Sequence, residues 1–242
     1  KMYLICLDIG NTRLKVGVFH PEKEDVFETY SDYNLETFIS LSEKYPNNQF
    51  ICSSTALLSP EINSYLQQPT NFLEVNHQLL FPFTNLYETP HTLGTDRMAL
   101  VAGTISLYPK RNCLIIDAGT SITLDFINQE GEYLGGSIHP GIEMRLKGLH
   151  NFTGKLPLVK ENWTDHLTGK STEECIQIGT VKAAIFEIQH FIEEYRAQLD
   201  DLMVLLSGGS TEIFFYKLKN EIFAHPNLVL LGLKTIALYN AK

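Results

Sequence analysis

The sequence lacks any run of apolar residues long enough to cross a bilayer, and positive charge is scarce. A membrane-spanning helix needs about 20 consecutive apolar residues, so we expect no membrane partner. A strand pattern begins at Tyr3, which leaves no room for a signal peptide ahead of it. These two features predict a cytoplasmic protein.

Cysteine is also sparse, and the basic residues form no run. Cys6, Cys52, Cys113 and Cys175 sit singly in apolar segments without C-x-x-C spacing. This pattern favours structural thiols in a reducing compartment over disulfides or a zinc site. Lys and Arg number 19 against 28 Asp and Glu, which gives a net charge of −9. Because that balance repels a phosphate backbone, we expect no nucleic-acid partner.

Two short segments share one pattern, in which an apolar strand runs into Asp-x-Gly, then hydroxyl or amide residues, then a second apolar stretch. They are D-I-G-N-T at 8–12 and D-A-G-T-S at 117–121. Glycine permits a tight turn with bare N–H groups, and hydroxyls add donors, so each turn is suited to a phosphate while its aspartate faces a metal ion. Each motif alone is also common in the turns of ordinary β-hairpins. Both motifs lie between two apolar strands, and one occurs in each half of the chain. This repetition indicates a nucleotide bound between duplicated domains.

The first half, residues 1–110, alternates strand and helix patterns. Strands are predicted at 3–7, 14–19, 27–30, 50–53 and 72–75, with helices near 35–41 and 60–67. After a Pro-containing stretch, a further helix is predicted with Thr95 as its N-cap and Pro109 closing it. This order is typical of a mixed sheet covered by helices.

The second half, residues 111–242, repeats the plan. Strands are predicted at 114–116, 122–127, 133–138, 203–206 and 228–231, with a closing helix at 234–239. A capping box at 171–174 opens a long amphipathic helix that continues through Ile192. We therefore predict an α/β protein with two domains, 1–110 and 111–242.

The paired hairpins resemble the phosphate hairpins of the actin-like superfamily, which includes actin, sugar kinases and heat-shock chaperones. Within it, five motifs in order are similar to type III pantothenate kinases: D-I-G-N-T-R-L-K at 8–15, G-T-D-R at 94–97, D-A-G-T at 117–120, G-G-S-I-H-P-G at 135–141, and S-T at 171–172 followed by Ile176. The resemblance implies two duplicated ribonuclease H-like domains. Each would hold a mixed five-stranded sheet flanked by helices, with the nucleotide in the cleft between them.

The resemblance also implies an activity. Members of this family are homodimeric enzymes that phosphorylate pantothenate from ATP, the first step toward coenzyme A. They use a divalent metal such as Mg²⁺ and a monovalent cation, K⁺ or NH₄⁺.

The family's nucleotide phosphate loop falls on Asp8, Ile9, Gly10, Asn11, Thr12, Arg13, Leu14 and Lys15. Asp8 is implied to organise the divalent metal, and Mg²⁺ is commonly held by one or two carboxylates plus phosphate oxygens. Two alternatives stay open: Asp8 caps its own turn, and Lys15 sits on a solvent face of the second strand. The resemblance assigns Thr120 to the second phosphate contact and Asp117 to the monovalent cation.

The resemblance makes Asp96 the base that accepts the proton of the substrate hydroxyl. A helix start stabilises a carboxylate and makes it a poorer base, yet phosphoryl transfer through a loose transition state needs little early proton removal. The alternative role of Asp96 is to complement the helix dipole.

Residues that fall where the family contacts pantothenate are Tyr87, Gly94, Thr95, Asp96 and Arg97. The planar fork of Arg97 suits a carboxylate, although pairing with Asp96 or a helix neighbour is the alternative. Thr172 matches a threonine that reaches the substrate from the other subunit, with helix capping as its competing role.

We expect Asp8, Asp96 and Asp117 to converge on one cleft. Two other functions compete with the kinase. One is a transcriptional accessory factor of the same family, which would need a surface facing protein or DNA, whereas this chain is acidic. The other is an actin-like phosphotransferase acting on a sugar or acetate, which the short chain and the G-T-D-R stretch disfavour.

Overall fold

The computed structural model describes residues 1–68, 72–218 and 221–241. The chain forms two compact units. Unit 1 comprises Lys1–Lys110, Ile127–Leu134 and Asn227–Lys242, and unit 2 comprises Arg111–Phe126 and Gly135–Pro226. Both units are discontinuous because the chain returns twice to unit 1. The continuous domains 1–110 and 111–242 stay a prediction about the duplicated halves.

The strands are β1 (Tyr3–Ile9), β2 (Leu14–Phe19), β3 (Val26–Tyr30), β4 (Asn48–Ser54), β5 (Phe72–Glu74), β6 (Thr84–Asn85), β7 (Asn112–Ala118), β8 (Ser121–Ile127), β9 (Glu132–Pro140), β10 (Leu202–Ser207) and β11 (Phe223–Ala224). The α-helices are α1 (Leu35–Lys44), α2 (Pro60–Gln67), α3 (Thr95–Leu107), α4 (Ile142–Asn151), α5 (Thr172–Gln177), α6 (Ala183–Gln198), α7 (Thr211–Lys217) and α8 (Leu228–Asn240). A short 3₁₀ turn lies at Pro90–Thr92, and a π-helical segment, Ile178–Lys182, joins α5 to α6.

Unit 1 is built on a mixed sheet with the strand order β3-β2-β1-β4-β5. β2 is antiparallel to β1 and β3, while β4 is parallel to β1 and β5. Apolar residues of β1 and β2 pack with α1 and α2 into one core, which includes Ile5, Leu14, Phe38 and Leu66. Alternate residues of β1, Ile5, Leu7 and Ile9, face this core, as expected for one face of a strand.

Helices α3 and α8 also belong to unit 1 and touch through their backbones. A Cβ atom on Gly232 of α8 would lie 1.7 Å from the carbonyl oxygen of Ala99, and one on Gly103 of α3 would lie 2.7 Å from that of Leu228. No side chain fits at either position, so glycine sets the distance between the two helices. α8 in turn contacts β1, β2 and β4.

Unit 2 repeats the same order with later strands, β9-β8-β7-β10-β11. β10 is parallel to both β7 and β11. Helices α4, α6 and α7 bury their apolar residues against this sheet, among them Leu146, Ile185 and Phe214. The repeated order confirms the predicted α/β fold with two sheets flanked by helices, but the second sheet has six strands rather than the predicted five, because β6 adds to its β9 edge. Strand β6, which pairs in parallel with the start of β9 in unit 1, was not predicted.

Three local predictions were wrong. The predicted strand at 228–231 is the first turn of α8, because a short apolar run fits a buried helix as well as a strand. The N-cap of α3 is Gly94, and Thr95 is its first helical residue. The capping box is only half formed: the Ser171 hydroxyl accepts the N–H of Glu174, but the Glu174 carboxylate accepts the N–H of Lys170.

Within residues 1–68, 72–218 and 221–241, no helix has the length and apolar character to span a membrane.

Candidate functional site

The hairpin between β1 and β2 carries the first predicted phosphate loop. The N–H of Gly10 donates to the carbonyl of Arg13 at 3.0 Å and closes the turn. The strand register places Asp8 opposite Lys15. Residues opposite each other in a strand pair project to the same face, so the carboxylate and the ammonium are neighbours. Ile9 and Leu14, the alternate pair, are fully buried in the core.

A buried serine connects this hairpin to helix α3. In the parallel pairing of β1 with β4, Asp8 lies beside Ser53. The Ser53 hydroxyl, itself fully buried, lies 2.8 Å from the hydroxyl of Thr95 at the start of α3. Sequence reasoning gave Ser53 no role. The feature of the sequence that could have identified Ser53 is a hydroxyl residue at the carboxyl end of a parallel strand, because α/β sheets bind ligands at that edge.

The first turn of α3 fixes the carboxylate of Asp96. Its Oδ1 accepts the backbone N–H of Arg97 at 2.8 Å. A Cβ on Gly94 would lie 2.4 Å from the same oxygen, so a residue larger than glycine would displace the carboxylate. The helix N-terminus stabilises its negative charge. The carboxylate of Asp96 is therefore fixed at the start of α3, next to Thr95, whose hydroxyl contacts Ser53.

The side chain of Arg97 is enclosed by aromatic rings of unit 1. Arg97 is only 6% exposed, and its Nη2 donates to the fully buried Tyr133 hydroxyl at 2.9 Å. Its guanidinium carbon lies 5.8 Å from the centre of the Tyr87 ring, and the Tyr87 and Tyr133 rings are 6.1 Å apart. The structure thus places Tyr87 next to Arg97, and both are residues that the sequence analysis assigned to pantothenate binding. Tyr133, from β9, was missed because only the fold brings it to α3.

The second predicted loop lies in unit 2, between β7 and β8. The N–H of Gly119 donates to the carbonyl of Ser121 at 2.9 Å, which makes a turn like that of the first hairpin. Asp117 is the penultimate residue of β7, the strand before the turn, and Thr120 is exposed at the tip of the turn. Because Asp117 lies in unit 2 and the other two acids in unit 1, their predicted convergence stays a prediction.

Two glycines let other segments approach this turn closely. A Cβ on Gly141, which precedes α4, would lie 2.3 Å from the carbonyl oxygen of Thr120. Gly208, after β10, has φ +100° and would place a Cβ 2.5 Å from the backbone of Ala118. Only glycine satisfies both the left-handed conformation and the close approach. The N–H groups of Gly141 and Ser210 donate to the carbonyls of Thr120 and Ala118 at 3.2 and 2.9 Å, so two other segments hold this turn in place.

A buried hydroxyl lies beside Asp117. The parallel pairing of β10 with β7 places Ser207 next to Asp117. The Ser207 hydroxyl is fully buried and has no hydrogen-bond partner among the described residues. Leaving such a group unsatisfied costs about 1–3 kcal/mol. Carboxylate and hydroxyl oxygens side by side are a donor set that fits a cation preferring oxygen ligands.

Thr172 occupies the exposed start of α5. The neighbouring Ser171 is the N-cap, since its hydroxyl accepts the N–H of Glu174 at 3.2 Å. Capping therefore does not occupy Thr172. The backbone N–H of Lys170 and a hydrogen bond from His166 lower the pKa of Glu174, which keeps this loop negatively charged.

No group of three or more His, Cys, Asp or Glu in the described part of the chain is arranged to hold a metal ion. The first hairpin offers one carboxylate, Asp8, at the edge where the predicted phosphate loop turns. That donor set fits a Mg²⁺ ion that takes most of its ligands from phosphate and water.

The duplicated strand order and paired Asp-x-Gly hairpins define an actin-like fold of the kind found in sugar kinases. A Campylobacter jejuni protein described as a Baf family transcriptional activator superposes with a TM-score of 0.63 at 20% identity, covering 98% of both chains. A Listeria monocytogenes protein described as an N-acetylmannosamine kinase gives a TM-score of 0.55 at 15% identity, covering all of both chains. These likenesses show the fold.

The family model for type III pantothenate kinase matches residues 4–194. Curated type III pantothenate kinases from Flavobacterium johnsoniae and Christiangramia forsetii are each 40% identical, over 94% and 98% of both chains respectively. One from Phocaeicola vulgatus is 40% identical over 98% of this chain and 99% of its own. The chain belongs to the type III pantothenate kinase family, which confirms the resemblance found in its sequence motifs.

Proposed function

We propose that this chain transfers the γ-phosphate of ATP to the hydroxyl of pantothenate, the first step of coenzyme A synthesis. The observation that carries the proposal is the start of α3 in a member of this kinase family. There the Asp96 carboxylate accepts the backbone N–H of Arg97, whose buried guanidinium donates to Tyr133. Asp96 accepts the proton of the attacking hydroxyl, and Arg97, Tyr87, Gly94 and Thr95 contact pantothenate.

The phosphate loop at residues 8–15 binds the nucleotide, and Asp8 holds Mg²⁺ through phosphate or water. The adjacent Lys15 ammonium supports this role, because it can neutralise developing charge on the phosphates as a point charge. Thr120 makes the second phosphate contact. Mg²⁺ held at Asp8 would supply positive charge to the phosphates during transfer.

Asp117 and Ser207 together bind the monovalent cation, K⁺ or NH₄⁺. The buried hydroxyl beside Asp117 supports this assignment, since a cation would satisfy it. Ser207→Ala should raise the K⁺ concentration for half-maximal activity about tenfold, by loss of one ligand to a charge. A matched series with choline chloride controls for ionic strength, and an unchanged K⁺ requirement would remove Ser207 from the site.

The test of the reaction is a substrate panel read by ADP release, with and without K⁺ or NH₄⁺. Phosphorylation of pantothenate alone, dependent on the cation, is the expected result. ADP release with a sugar or acetate but not pantothenate would assign a different acceptor. No ADP release with any acceptor would refute the kinase assignment.

The proposed homodimer brings Thr172 of one subunit to the site of the other. Its free, exposed hydroxyl supports this role, because Ser171 already caps α5. Mixing inactive Asp96→Asn and Thr172→Val chains under exchange conditions should restore activity, because a mixed dimer contains one site with both native residues. Failure to restore activity, with mixed dimers shown by light scattering and tag pull-down, would place both residues in one subunit's site.

A further inference from the structure

A second group of charged side chains in unit 2 surrounds Trp163, the only tryptophan of the chain. The Nζ atoms of Lys182 and Lys217 lie 4.7 and 4.5 Å from the centre of its ring. Its indole N–H donates to Asp165 Oδ1 at 2.7 Å. One ring therefore gathers two ammonium groups and one carboxylate, none of which has a role in the proposed phosphoryl transfer.

Lys182 is the unusual member of this group. It is only 4% exposed, and lysine is almost never buried without a partner. It ends the π-helical segment Ile178–Lys182, and such segments are frequent at functional sites. In the part of the chain that the structure describes, neither Lys182 nor Lys217 forms an ion pair or a hydrogen bond with a carboxylate; their contact is the face of Trp163.

The charges in the group do not balance. Two ammonium groups face one carboxylate, and that carboxylate is already engaged by the indole N–H. The hydrogen bond from Trp163 and the nearby charges of Lys217 and Lys182 lower the pKa of Asp165, so Asp165 is ionised and still leaves one positive charge in excess. Each ammonium has three N–H donors, and contact with a ring face leaves most of them available.

We propose that Lys182, Lys217 and Trp163 form a binding site for a phosphate group, on inorganic phosphate or on a small phosphate ester. A phosphate dianion offers several acceptor oxygens and enough charge for both ammonium groups, whereas a carboxylate neutralises only one. Burial of Lys182 strengthens its attraction for an anion, because the surrounding medium screens charge less than water does. None of these three residues is among those proposed above to contact ATP or pantothenate.

Because Trp163 is the only tryptophan, the intrinsic fluorescence of the full chain reports this site directly. We would titrate the protein with inorganic phosphate, and separately with glycerol 3-phosphate, holding ionic strength constant with KCl. A saturable change in tryptophan emission is expected with at least one of the two, and the pair distinguishes free phosphate from an ester. A response no different from that to KCl alone would overturn the proposal.

Three variants sharpen the test. Lys182→Met and Lys217→Met should each weaken binding about tenfold or more, since each removes a charged donor. Lys155→Met, a change at an exposed lysine outside the group, is the matched control and should leave affinity unchanged. Asp165→Asn should tighten binding, because it removes the competing negative charge while its amide oxygen still accepts the indole N–H.

Circular dichroism checks that each variant is folded. If Lys182→Met does not fold, Lys217→Met and Asp165→Asn decide the question, because both alter more exposed positions. Unchanged affinity in the folded lysine variants, or no gain with Asp165→Asn, would show that the cation–π contacts are purely structural.

Discussion

Replacement of Asp96 by asparagine separates its proposed chemical role from its structural one. In the structure Asp96 Oδ1 accepts the N–H of Arg97 at 2.8 Å. Asparagine keeps an oxygen at that position but cannot accept a proton from the substrate. General-base assistance contributes about 10²- to 10⁴-fold, so kcat should fall by that factor, which equals about 3–5 kcal/mol in the activation barrier.

The folded state should change far less. Loss of the negative charge at the start of α3 removes about 0.3–1 kcal/mol of interaction with the helix dipole. For a chain of this size that lowers Tm by only about 1–4 °C. Asp96→Ala is the comparison, because it removes both the charge and the acceptor and should destabilise the protein more than asparagine does.

The assay is ADP release at saturating pantothenate and ATP, with thermal unfolding measured on the same preparations. We expect Asp96→Asn to be folded and nearly inactive, with the KM for ATP close to that of the native chain. A variant that is folded and turns over at the native rate would refute the reasoning. It would leave Asp96 with the structural role alone.

Three further predictions test the fold and the substrate pocket. Gly232→Ala should destabilise the protein by about 3 kcal/mol in urea unfolding, because backbone atoms occupy the space that a Cβ needs. Gly148→Ala is the control and should be neutral or stabilising, because nothing lies within 4 Å of its Cβ position; equal effects of the two changes would contradict the close helix contact. Tyr133→Phe removes the hydroxyl that accepts a hydrogen bond from Arg97 and should raise the KM for pantothenate about tenfold. The KM for ATP should stay unchanged, and an equal rise in the two KM values would refute a pantothenate-specific role. The pKa of Glu174 is lowered below its usual 4.5. The ionised carboxylate therefore stabilises the folded state fully above that value, and this stabilisation is lost as pH falls through the folded pKa. The amount by which Glu174→Gln lowers Tm should therefore shrink between ~pH 7 and ~pH 3, and a constant difference in Tm would contradict this role.

The elements that the sequence predicted well depend on local pattern. The two hairpins are set by Asp-x-Gly between apolar strands, and their turns close within four residues, so nearby residues specify them. The mixed sheet of unit 1, covered by helices, follows from the alternation of strand and helix patterns, although the order of its strands was not predicted. Arg97 and Asp96 could be placed at a helix start because the G-T-D-R stretch lies next to a periodic apolar segment.

What the sequence did not reveal depends on residues far apart in the chain. Ser53 and Tyr133 become part of the site only through strand register and through β9 returning to unit 1. The apolar run at 228–231 fits a strand or a buried helix equally well, and its contact with α3 decides between them. That contact depends on Gly103 and Gly232, and the need for glycine at these positions becomes visible only when both helices are in place.

The position of α8 has a consequence for biosynthesis. This helix follows every other described element in the sequence, yet it covers β1, β2 and β4, three of the first four strands to be translated. The earliest part of the nascent polypeptide therefore leaves the ribosome with one side of its sheet only partly covered, by α3 against β4, and the rest of that side stays exposed to solvent and chaperones until α8 has been translated. Unit 1 is complete only once α8 has been translated, after all of unit 2, so the order of synthesis links completion of the two units in time.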